Sequence, residues 1–152
     1  MRAFLPGMIE RGHGHIVTVS SAAAISPAPR LSDYAATKWA AFGFDESLRL
    51  EFKRYDLPVK TTVVCPFFVN TGMFDGVKTR FNLLLPILEP ELVADKMIKA
   101  IEKDRARLIL PPAVYGMYPL RLLPPLIFDK VTAFFGVSKS MDDFVGRGGE
   151  KI

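Results

Sequence analysis

Two short runs of β-branched residues, separated by a long helical pattern, constrain the fold of this chain more than any other feature of its sequence. The first run, Ile16–Val19, ends at Ser20 and Ser21, and the second spans residues 60–65. The helical pattern between them stops before Pro58. Strand, helix and strand in this order predict a parallel, right-handed βαβ unit and therefore an α/β fold.

The predicted unit brings three reactive side chains toward one end of the sheet. Ser21 closes the first strand, and Tyr34 and Lys38 lie at positions i and i+4 of the helical pattern. These positions share a helix face about one turn apart, so the Lys38 ammonium is placed to stabilise a Tyr34 phenolate. Ligands of parallel sheets bind beyond the carboxyl ends of the strands, where we expect Ser21 and the loop 66–73.

A serine at a strand end, thirteen residues before a Tyr-x-x-x-Lys sequence, resembles the catalytic segment of the short-chain dehydrogenase/reductase family. The resemblance implies the C-terminal part of a Rossmann-type, doubly wound parallel sheet. It implies catalytic roles for Ser21, Tyr34 and Lys38 in hydride exchange between NAD or NADP and a carbon that bears a hydroxyl or carbonyl. Ser21 would hydrogen-bond the substrate oxygen and Tyr34 would transfer the proton. Lys38 would stabilise the phenolate, and Tyr34 and Lys38 would both contact the cofactor.

The loop after the second strand carries a second match to the family. It reads PFFVNTGM, where the family usually has Pro-Gly-x-Val or Pro-Gly-x-Ile, followed by x-Thr. By position, the resemblance implies Pro66, Val69 and Thr71 as cofactor-binding residues. The Val69 backbone and the Thr71 hydroxyl would hold the nicotinamide carboxamide. Phe67 replaces the glycine, and this departure predicts a less permissive turn.

The family segments that bind the rest of the cofactor precede the position that matches Met1. They are the Gly-rich pyrophosphate turn, the residue that reads the ribose, the Asn-Ala-Gly stretch and the catalytic asparagine. The resemblance therefore implies a chain without the N-terminal cofactor-binding half, in which the choice between NAD and NADP stays open. We also expect the inner edge of the remaining sheet to be unpaired and apolar.

The resemblance implies a partial Rossmann-type catalytic domain, 1–110, and composition marks the rest as a Pro-rich apolar extension and tail, 111–152. The longest uncharged run in this part of the chain, Leu108–Leu120, has 13 residues, short of the ~20 that a membrane-spanning helix needs. The apolar, Pro-broken sequence of the extension predicts either a segment that lies in a membrane interface or a cap over the substrate site. Residues 140–151 predict a mobile polar tail.

Residues 75–90 lack a long periodicity and contain glycine and prolines, which predicts a loop or a short helical lid. A helix from about Glu89 to Lys103 and a strand at Arg107–Leu110 are predicted to follow. The apolar residues in and beside the loop favour two interpretations equally: a cavity for a lipid-like alcohol, or core packing. These residues are Phe74, Phe81, Leu83, Leu84, Leu85, Ile87 and Leu88.

Within the family, the segments CPFFVNTGMF and LLPILEP and the Pro-rich end are most similar to a membrane-associated subgroup. That subgroup contains epidermal retinol dehydrogenases and lipid-droplet 17-beta-hydroxysteroid dehydrogenases. It implies a lipophilic alcohol or ketone substrate, retinol- or hydroxysteroid-like. It implies the cytosolic face of the endoplasmic reticulum membrane or of lipid droplets, or otherwise the cytoplasm, and a homodimer in the full-length form. The alternative is a truncated, catalytically inactive product that binds only a membrane or a protein partner.

The helix that carries Tyr34 is predicted to have an N-cap at Ser32 or Asp33. Its buried stripe is predicted to include Ala36, Trp39, Ala40 and Phe44, and the small residues of this stripe allow a neighbour to approach closely. We expect Trp39 to act in packing rather than in ligand binding.

Several other classes of function are disfavoured. The net charge of +4 comes from scattered basic residues, with no basic patch for nucleic acid. The single cysteine, Cys65, excludes an internal disulfide and the usual zinc clusters. His13 and His15 are predicted to lie in a glycine turn rather than at a metal. The sequence has no Gly-x-Ser-x-Gly, which argues against a serine hydrolase.

Overall fold

The computed structural model describes residues 1–145, which form a three-stranded parallel sheet flanked by helices. The elements are α1 (Leu5–Glu10), β1 (Gly14–Val19), α2 (Ser32–Arg54), β2 (Val59–Pro66), α3 (Pro90–Glu102), β3 (Arg107–Leu110), α4 (Met117–Leu120) and α5 (Pro125–Phe134). Short 3₁₀ helices lie at Ala22–Ala24, Pro112–Gly116 and Val137–Lys139. The predicted α/β fold with a parallel sheet is confirmed.

The strand order is β1-β2-β3, so β2 is central and buried on both faces. Successive side chains of a strand point to opposite faces. Val63 and Cys65 accordingly join one apolar core, whereas Val64 joins the other. A strand covered on both faces needs apolar residues at consecutive positions, which explains the unbroken run in β2.

The two long helices cover opposite faces of the sheet. α2 packs on one face through Leu48 and Phe52, and α3 packs on the other through Val93 and Ala100. This is the doubly wound arrangement, and it leaves the carboxyl ends of all three strands at one edge.

The start of α2 differs from the prediction. The helix begins at Ser32, and its N-cap is Leu31, which makes no side-chain capping hydrogen bond, so neither Ser32 nor Asp33 is the cap. Leu31 is buried in one cluster with Phe68 and Met141. This apolar contact, rather than a capping hydroxyl, fixes where the helix starts.

The predicted buried stripe of α2 is also wrong. Its four residues are exposed, Phe44 to 54%. The buried residues of α2 are Ala35, Asp45, Leu48 and Phe52. Asp45 accepts a hydrogen bond of 3.0 Å from the hydroxyl of Thr61 in β2. A buried carboxylate thus turns this face of the helix toward the sheet, which hydrophobic periodicity alone does not reveal.

β1 lies at one edge of the sheet, and no strand among residues 1–145 pairs with its outer side. Most of the strand is half-buried, and Val19 at its end is 52% exposed. The expected unpaired, apolar edge is therefore confirmed for the part of the chain that the structure describes.

Residues 72–88 form a loop of turns, held at its end where Val69 and Leu88 make an isolated β-bridge. The prediction of a loop here is confirmed. Across the described part of the chain, every helix is too short or too polar to cross a bilayer.

The C-terminal residues differ from the prediction of a mobile polar tail. Ser140 and Met141 are buried, with exposed fractions of 4% and 2%. The prediction is wrong for these two residues, because Met141 packs against Phe68. The rest of the predicted tail from residue 146 onward lies outside the described residues, and the division of the chain near residue 110 stays a prediction.

Candidate active site

Ser21 lies where β1 ends and the chain turns toward α2. The Ser20 amide donates to the Val64 carbonyl at 2.8 Å, so strand pairing extends to the residue before Ser21. Ser21 is buried, and its hydroxyl accepts from the Ala23 amide at 3.1 Å as the cap of the following 3₁₀ helix. The same hydroxyl donates to the Pro66 carbonyl at 3.5 Å, which places Ser21 beside the carboxyl end of β2.

Tyr34 and Lys38 lie on one face near the start of α2, in the geometry that their spacing predicts. The Lys38 Nζ is 5.6 Å from the centroid of the Tyr34 ring, and it donates to the Val19 carbonyl at 3.2 Å. The Tyr34 ring makes an edge contact with Phe74, with 5.8 Å between centroids. The ammonium therefore stands beside the phenol, where it attracts negative charge that develops on the ring oxygen.

Two further hydrogen bonds hold α2 against the end of β1 and the 3₁₀ helix that follows it. The Ser20 hydroxyl donates to the Lys38 carbonyl at 2.8 Å, and the Trp39 Nε1 donates to the Ala23 carbonyl at 2.9 Å. The immediate neighbours of Ser21 and Lys38 thus fix the separation of the two elements. The sequence gives no signal for this role except that Ser20 and Trp39 adjoin the predicted catalytic residues.

A largely apolar pocket opens beside Ser21 and Tyr34, and both side chains form part of its wall. The other lining residues come from the loop after Ser21, from residues 67–85 and from residues 113–140. They include Ala22, Ala23, Phe67, Phe68, Phe74, Leu84, Leu85, Val114, Met117, Leu120 and Phe135. The Ser21 hydroxyl and the Tyr34 phenol, set in an apolar wall, can orient one polar group of a largely apolar ligand.

The two interpretations of the apolar residues in the loop 72–88 are each right for some of them. Phe74, Leu84 and Leu85 line the pocket. Leu88 is a core residue at 4% exposure, whereas Leu83 is fully exposed and belongs to neither group.

Part of the Pro-rich extension lies in the wall of the pocket. Met117, Leu120 and Phe135 lie in the pocket wall, which favours the cap interpretation. Leu122 and Leu126 are 87% and 77% exposed. These outward leucines keep the membrane-interface interpretation open for α5 and the residues just before it.

The expected cofactor loop leaves β2 beside this pocket but does not line it beyond Phe68. Val69 pairs with Leu88, and the Thr71 amide donates to the Val69 carbonyl at 2.8 Å in a tight turn. Thr71 is exposed and Val69 is half-buried. The structure thus brings Ser21, Tyr34 and Lys38 together, with Val69 and Thr71 farther along the same loop as Pro66.

Phe67, which replaces the family glycine, does not have the positive φ that would favour glycine. The Phe67 amide donates to the Leu110 carbonyl at 2.7 Å, so the backbone continues the pairing between β2 and β3. Its ring stacks edge-on with Phe68, with 4.6 Å between centroids, and lies in the pocket wall. The substitution therefore adds an aromatic surface to the pocket.

Two titratable groups near the sheet, Cys65 and Tyr118, have raised pKa values. Burial raises the pKa of the Cys65 thiol to about 11, although hydrogen bonds from Ser20 and Ser21 oppose it. Burial also raises the pKa of Tyr118, whose hydroxyl is buried without a hydrogen-bond partner. Both groups are therefore neutral at pH 7, which suits structural rather than nucleophilic roles.

Burial lowers the pKa of His15 below its usual 6.5, and the nearby Asp104 carboxylate opposes this shift. His15 lies in β1, not in the predicted turn, and its Nε2 is 2.7 Å from the Thr62 hydroxyl. Within residues 1–145 no three His, Cys, Asp or Glu side chains cluster as metal ligands.

Two arginines that sequence reasoning does not single out hold the residues around the site. The Arg30 Nη1 donates to the Met141 carbonyl at 3.1 Å, and the Arg121 Nη1 donates to the Ile25 carbonyl at 2.9 Å. The partners are 111 and 96 residues apart in the chain. No local pattern can indicate contacts at such separations.

The comparisons with known proteins agree with this geometry. The family described as short chain dehydrogenase matches residues 1–81. Epidermal retinol dehydrogenase 2 of Homo sapiens is 44% identical over 148 residues, which cover 96% of this chain and 48% of that protein. This chain spans about half the length of the curated relatives it matches.

Two solved structures share the fold. They are a short chain dehydrogenase from Burkholderia cenocepacia in complex with NADP and a short chain dehydrogenase/reductase from Burkholderia phymatum in complex with NAD. Their TM-scores are 0.69 and 0.64, each at 21% identity. The matches cover 88% and 91% of this chain and 53% and 55% of those chains. The fold is therefore the C-terminal part of a Rossmann-type sheet, and the chain belongs to the short-chain dehydrogenase/reductase family.

Proposed function

We propose that this chain carries the catalytic side chains and the substrate pocket of an NAD- or NADP-dependent oxidoreductase. Its substrate would be a lipophilic alcohol or ketone, retinol- or hydroxysteroid-like. One observation carries the proposal: Ser21 and Tyr34 open into the same apolar pocket, and Lys38 lies beside Tyr34.

Each of the three side chains has a distinct task in this proposal. Ser21 hydrogen-bonds the substrate oxygen and holds it near Tyr34. The Tyr34 hydroxyl accepts the proton of an alcohol, or returns it to a carbonyl. A phenol is neutral in water at pH 7, so this exchange needs a nearby positive charge. The Lys38 ammonium, 5.6 Å from the ring centroid, supplies that charge.

When bound, a nicotinamide cofactor exchanges a hydride with the substrate carbon. Two features of the chain fit such a cofactor. Lys38 lies at the carboxyl end of β1, and the exposed Thr71 hydroxyl follows the carboxyl end of β2. In the proposal Lys38 and Tyr34 contact the ribose side, while Pro66, Val69 and Thr71 hold the carboxamide side. The relatives solved with NADP and with NAD support both nucleotides equally.

The lipophilic substrate follows from the character of the pocket wall. Apart from Ser21, Ser26, Tyr34 and Ser140, the lining side chains are apolar. A sugar or a small diol would leave several hydroxyls without partners against such a wall, which is costly. The similarity to a protein named epidermal retinol dehydrogenase supports the same class of substrate.

The test is turnover of all-trans-retinol with NAD⁺ and with NADP⁺ by the protein expressed from its complete coding sequence. We expect Ser21→Ala to lower kcat about 100-fold or more, because the substrate oxygen loses its hydrogen bond. Ser47→Ala is the matched control, since Ser47 is exposed and its hydroxyl bonds only the Gly43 carbonyl of α2. Equal activity of the Ser21 variant and its control would refute the assignment.

A nucleotide titration separates this proposal from a purely binding role. Saturable quenching or transfer of NADH or NADPH fluorescence supports the enzyme. If neither nucleotide binds and retinol is not turned over, the chain acts only through membrane or protein contacts.

We also propose that α5 rests on a membrane surface, on the cytosolic face of the endoplasmic reticulum or of lipid droplets. Leu126, Ile127 and Phe134 are exposed at 77%, 48% and 57%, and Lys130 shares their side of the helix. Apolar side chains beside a lysine suit a helix that lies in the headgroup region. Leu126→Asp should reduce co-sedimentation with liposomes, whereas the exposed Leu50→Asp on α2 should not.

Pairing of two copies through α2 is a further proposal. Ala36, Ala40 and Phe44 are exposed on this helix, and small residues permit close helix approach. Ala40→Glu should shift the protein toward monomer in analytical ultracentrifugation. An unchanged sedimentation coefficient would exclude this face.

A further inference from the structure

Arg121 directly follows α4 and reaches back to the loop after Ser21. Its guanidinium carbon lies 4.3 Å from the centroid of the Trp39 ring, and its Nη1 donates to the Ile25 carbonyl at 2.9 Å. Trp39 donates through Nε1 to the Ala23 carbonyl, also at 2.9 Å. The stacked pair therefore holds two backbone carbonyls of the loop that Ser21 begins.

The stacked pair also connects two walls of the apolar pocket. One wall is the loop with Ala22 and Ala23, and the other is α4 with Met117 and Leu120. α4 has only four residues and none of them is buried. So short a helix has little stability of its own, so its distance from the loop depends on side-chain contacts such as that of Arg121.

We propose that Arg121, stacked on Trp39, is a positioning residue that sets the spacing of these two walls and thereby the affinity of the pocket for an apolar ligand. Neither side chain lines the pocket, so both act through the residues that do. The identity of the ligand rests on the proposed function, whereas the spacing of the walls does not.

Arginine suits this task better than lysine. Its planar guanidinium stacks on an indole face while its N–H groups remain free to bind a carbonyl in the same plane. A lysine at the same position keeps the charge but cannot make both contacts with one rigid group. We therefore expect substitution of Arg121 by lysine to have a smaller effect on ligand affinity than substitution by an uncharged side chain.

The test compares Arg121→Met and Arg121→Lys in the full chain, with the exposed Arg105→Met as the matched control. Two probes are titrated without cofactor, all-trans-retinol and 1-anilinonaphthalene-8-sulfonate, each followed by its own fluorescence. We expect Arg121→Met to weaken retinol binding about fivefold to tenfold, Arg121→Lys to weaken it less, and the control to have no effect.

Trp39 is the only tryptophan of the chain, so its emission reports the stacked pair directly. We expect acrylamide to quench Trp39 more strongly in Arg121→Met than in the unaltered chain, with Arg121→Lys between them. A purely structural role would lower the melting temperature without this graded change in quenching and affinity.

The outcomes are distinguishable from failure of the proposed function. If retinol does not bind the unaltered chain, the proposed substrate fails, and the anilinonaphthalene sulfonate affinities still decide the role of Arg121. If Arg121→Met does not fold, the probe affinities of Arg121→Lys and Trp39→Phe decide the role of Arg121. Trp39→Phe keeps an aromatic face but loses the Nε1 donor. Probe affinities within twofold of the unaltered chain in the folded variants overturn the proposal.

Discussion

The two sides of the candidate site are built in different ways. The side that carries Ser21, Tyr34 and Lys38 is a strand, helix and strand joined by ladder pairing and by short hydrogen bonds between neighbouring elements. The side that covers the pocket consists of the loop 72–88 and the extension 111–145, and single long-range contacts hold it, such as that of the Arg80 Nη1 with the Phe134 carbonyl.

This difference assigns two tasks to two regions: the first side holds the reactive groups, and the second side shapes the ligand pocket. Proton transfer needs groups held to a fraction of an ångström, and a regular α/β framework provides that rigidity. A covering segment with few regular contacts can change its lining residues without moving the reactive groups. We therefore expect variants of the reactive side chains and of the packed core of the framework to affect kcat or folding, and variants of the cover and of its contacts to affect ligand affinity.

Tyr34→Phe should have the largest effect and should sharpen the contrast. Removing the hydroxyl deletes the proton donor and acceptor, so kcat for retinol should fall about 10²- to 10⁴-fold. Retinol affinity and the melting temperature should stay the same, because the ring and its contact with Phe74 remain. Tyr55→Phe, at an exposed tyrosine, is the control. Retained turnover would remove Tyr34 from the mechanism.

Phe52→Ala should have the next largest effect, on stability. Phe52 is 4% exposed and packs with Leu48 and Val59 between α2 and the sheet. The cavity should lower the free energy of unfolding by about 3–5 kcal/mol. The measurement is urea denaturation followed by circular dichroism, and the exposed Phe44→Ala serves as the comparison. A small loss at Phe52 would mean that the framework is less tightly packed than its contacts indicate.

Gly76→Ala should loosen the cover and leave the framework intact. Gly76 has φ of +87°, and a Cβ there would collide with the Asp143 backbone carbonyl. We expect a cost of about 1–3 kcal/mol confined to the cover. Limited proteolysis should then cut within 72–88 faster, while the denaturation midpoint of the sheet changes little. Gly43→Ala is the control, because a Cβ at Gly43 meets open space. Cleavage at the same rate in both variants would contradict the separation.

The smallest expected effect is a pH dependence within the framework. Burial lowers the pKa of His15 below 6.5, so the unfolded chain takes up a proton at a higher pH than the folded chain. Well above pH 6.5, His15 should therefore not reduce the free energy of unfolding. This free energy should decline as the pH falls from about 6.5 through the lower pKa of the folded state. His15→Gln should flatten this part of the profile in denaturation measured between pH 7 and 5. An identical slope in the variant would assign the pH dependence to other groups.

Local patterns in the sequence predict the framework well. β3 and the pairing of all strands follow from short apolar runs, and the i and i+4 spacing correctly predicts that Lys38 lies beside Tyr34. Within the framework, the prediction that fails is the buried stripe of α2, which is exposed. Its orientation depends on a buried hydrogen bond between Asp45 and Thr61, and helical periodicity does not encode that partner.

The cover is much less predictable from the sequence, because its contacts join distant parts of the chain. The burial of Met141 depends on Phe68, and the position of Arg121 depends on Trp39. Apolar composition indicates that this region contacts an apolar surface or ligand. Composition does not indicate which leucine faces the pocket and which, like Leu83, faces solvent. Only the assembled fold distinguishes them.

The central place of β2 has a consequence for the rate at which backbone amides exchange with deuterium. Every part of β2 between Val59 and Pro66 is flanked by β1, by β3 or by both, whereas the outer row of β1 has no strand partner among the described residues. Amides of Val63 and Val64 should therefore be among the last to exchange, and outer amides of β1 among the first. The strand that delivers Ser21 should thus exchange slowly along the row that pairs with β2 and quickly along its outer row.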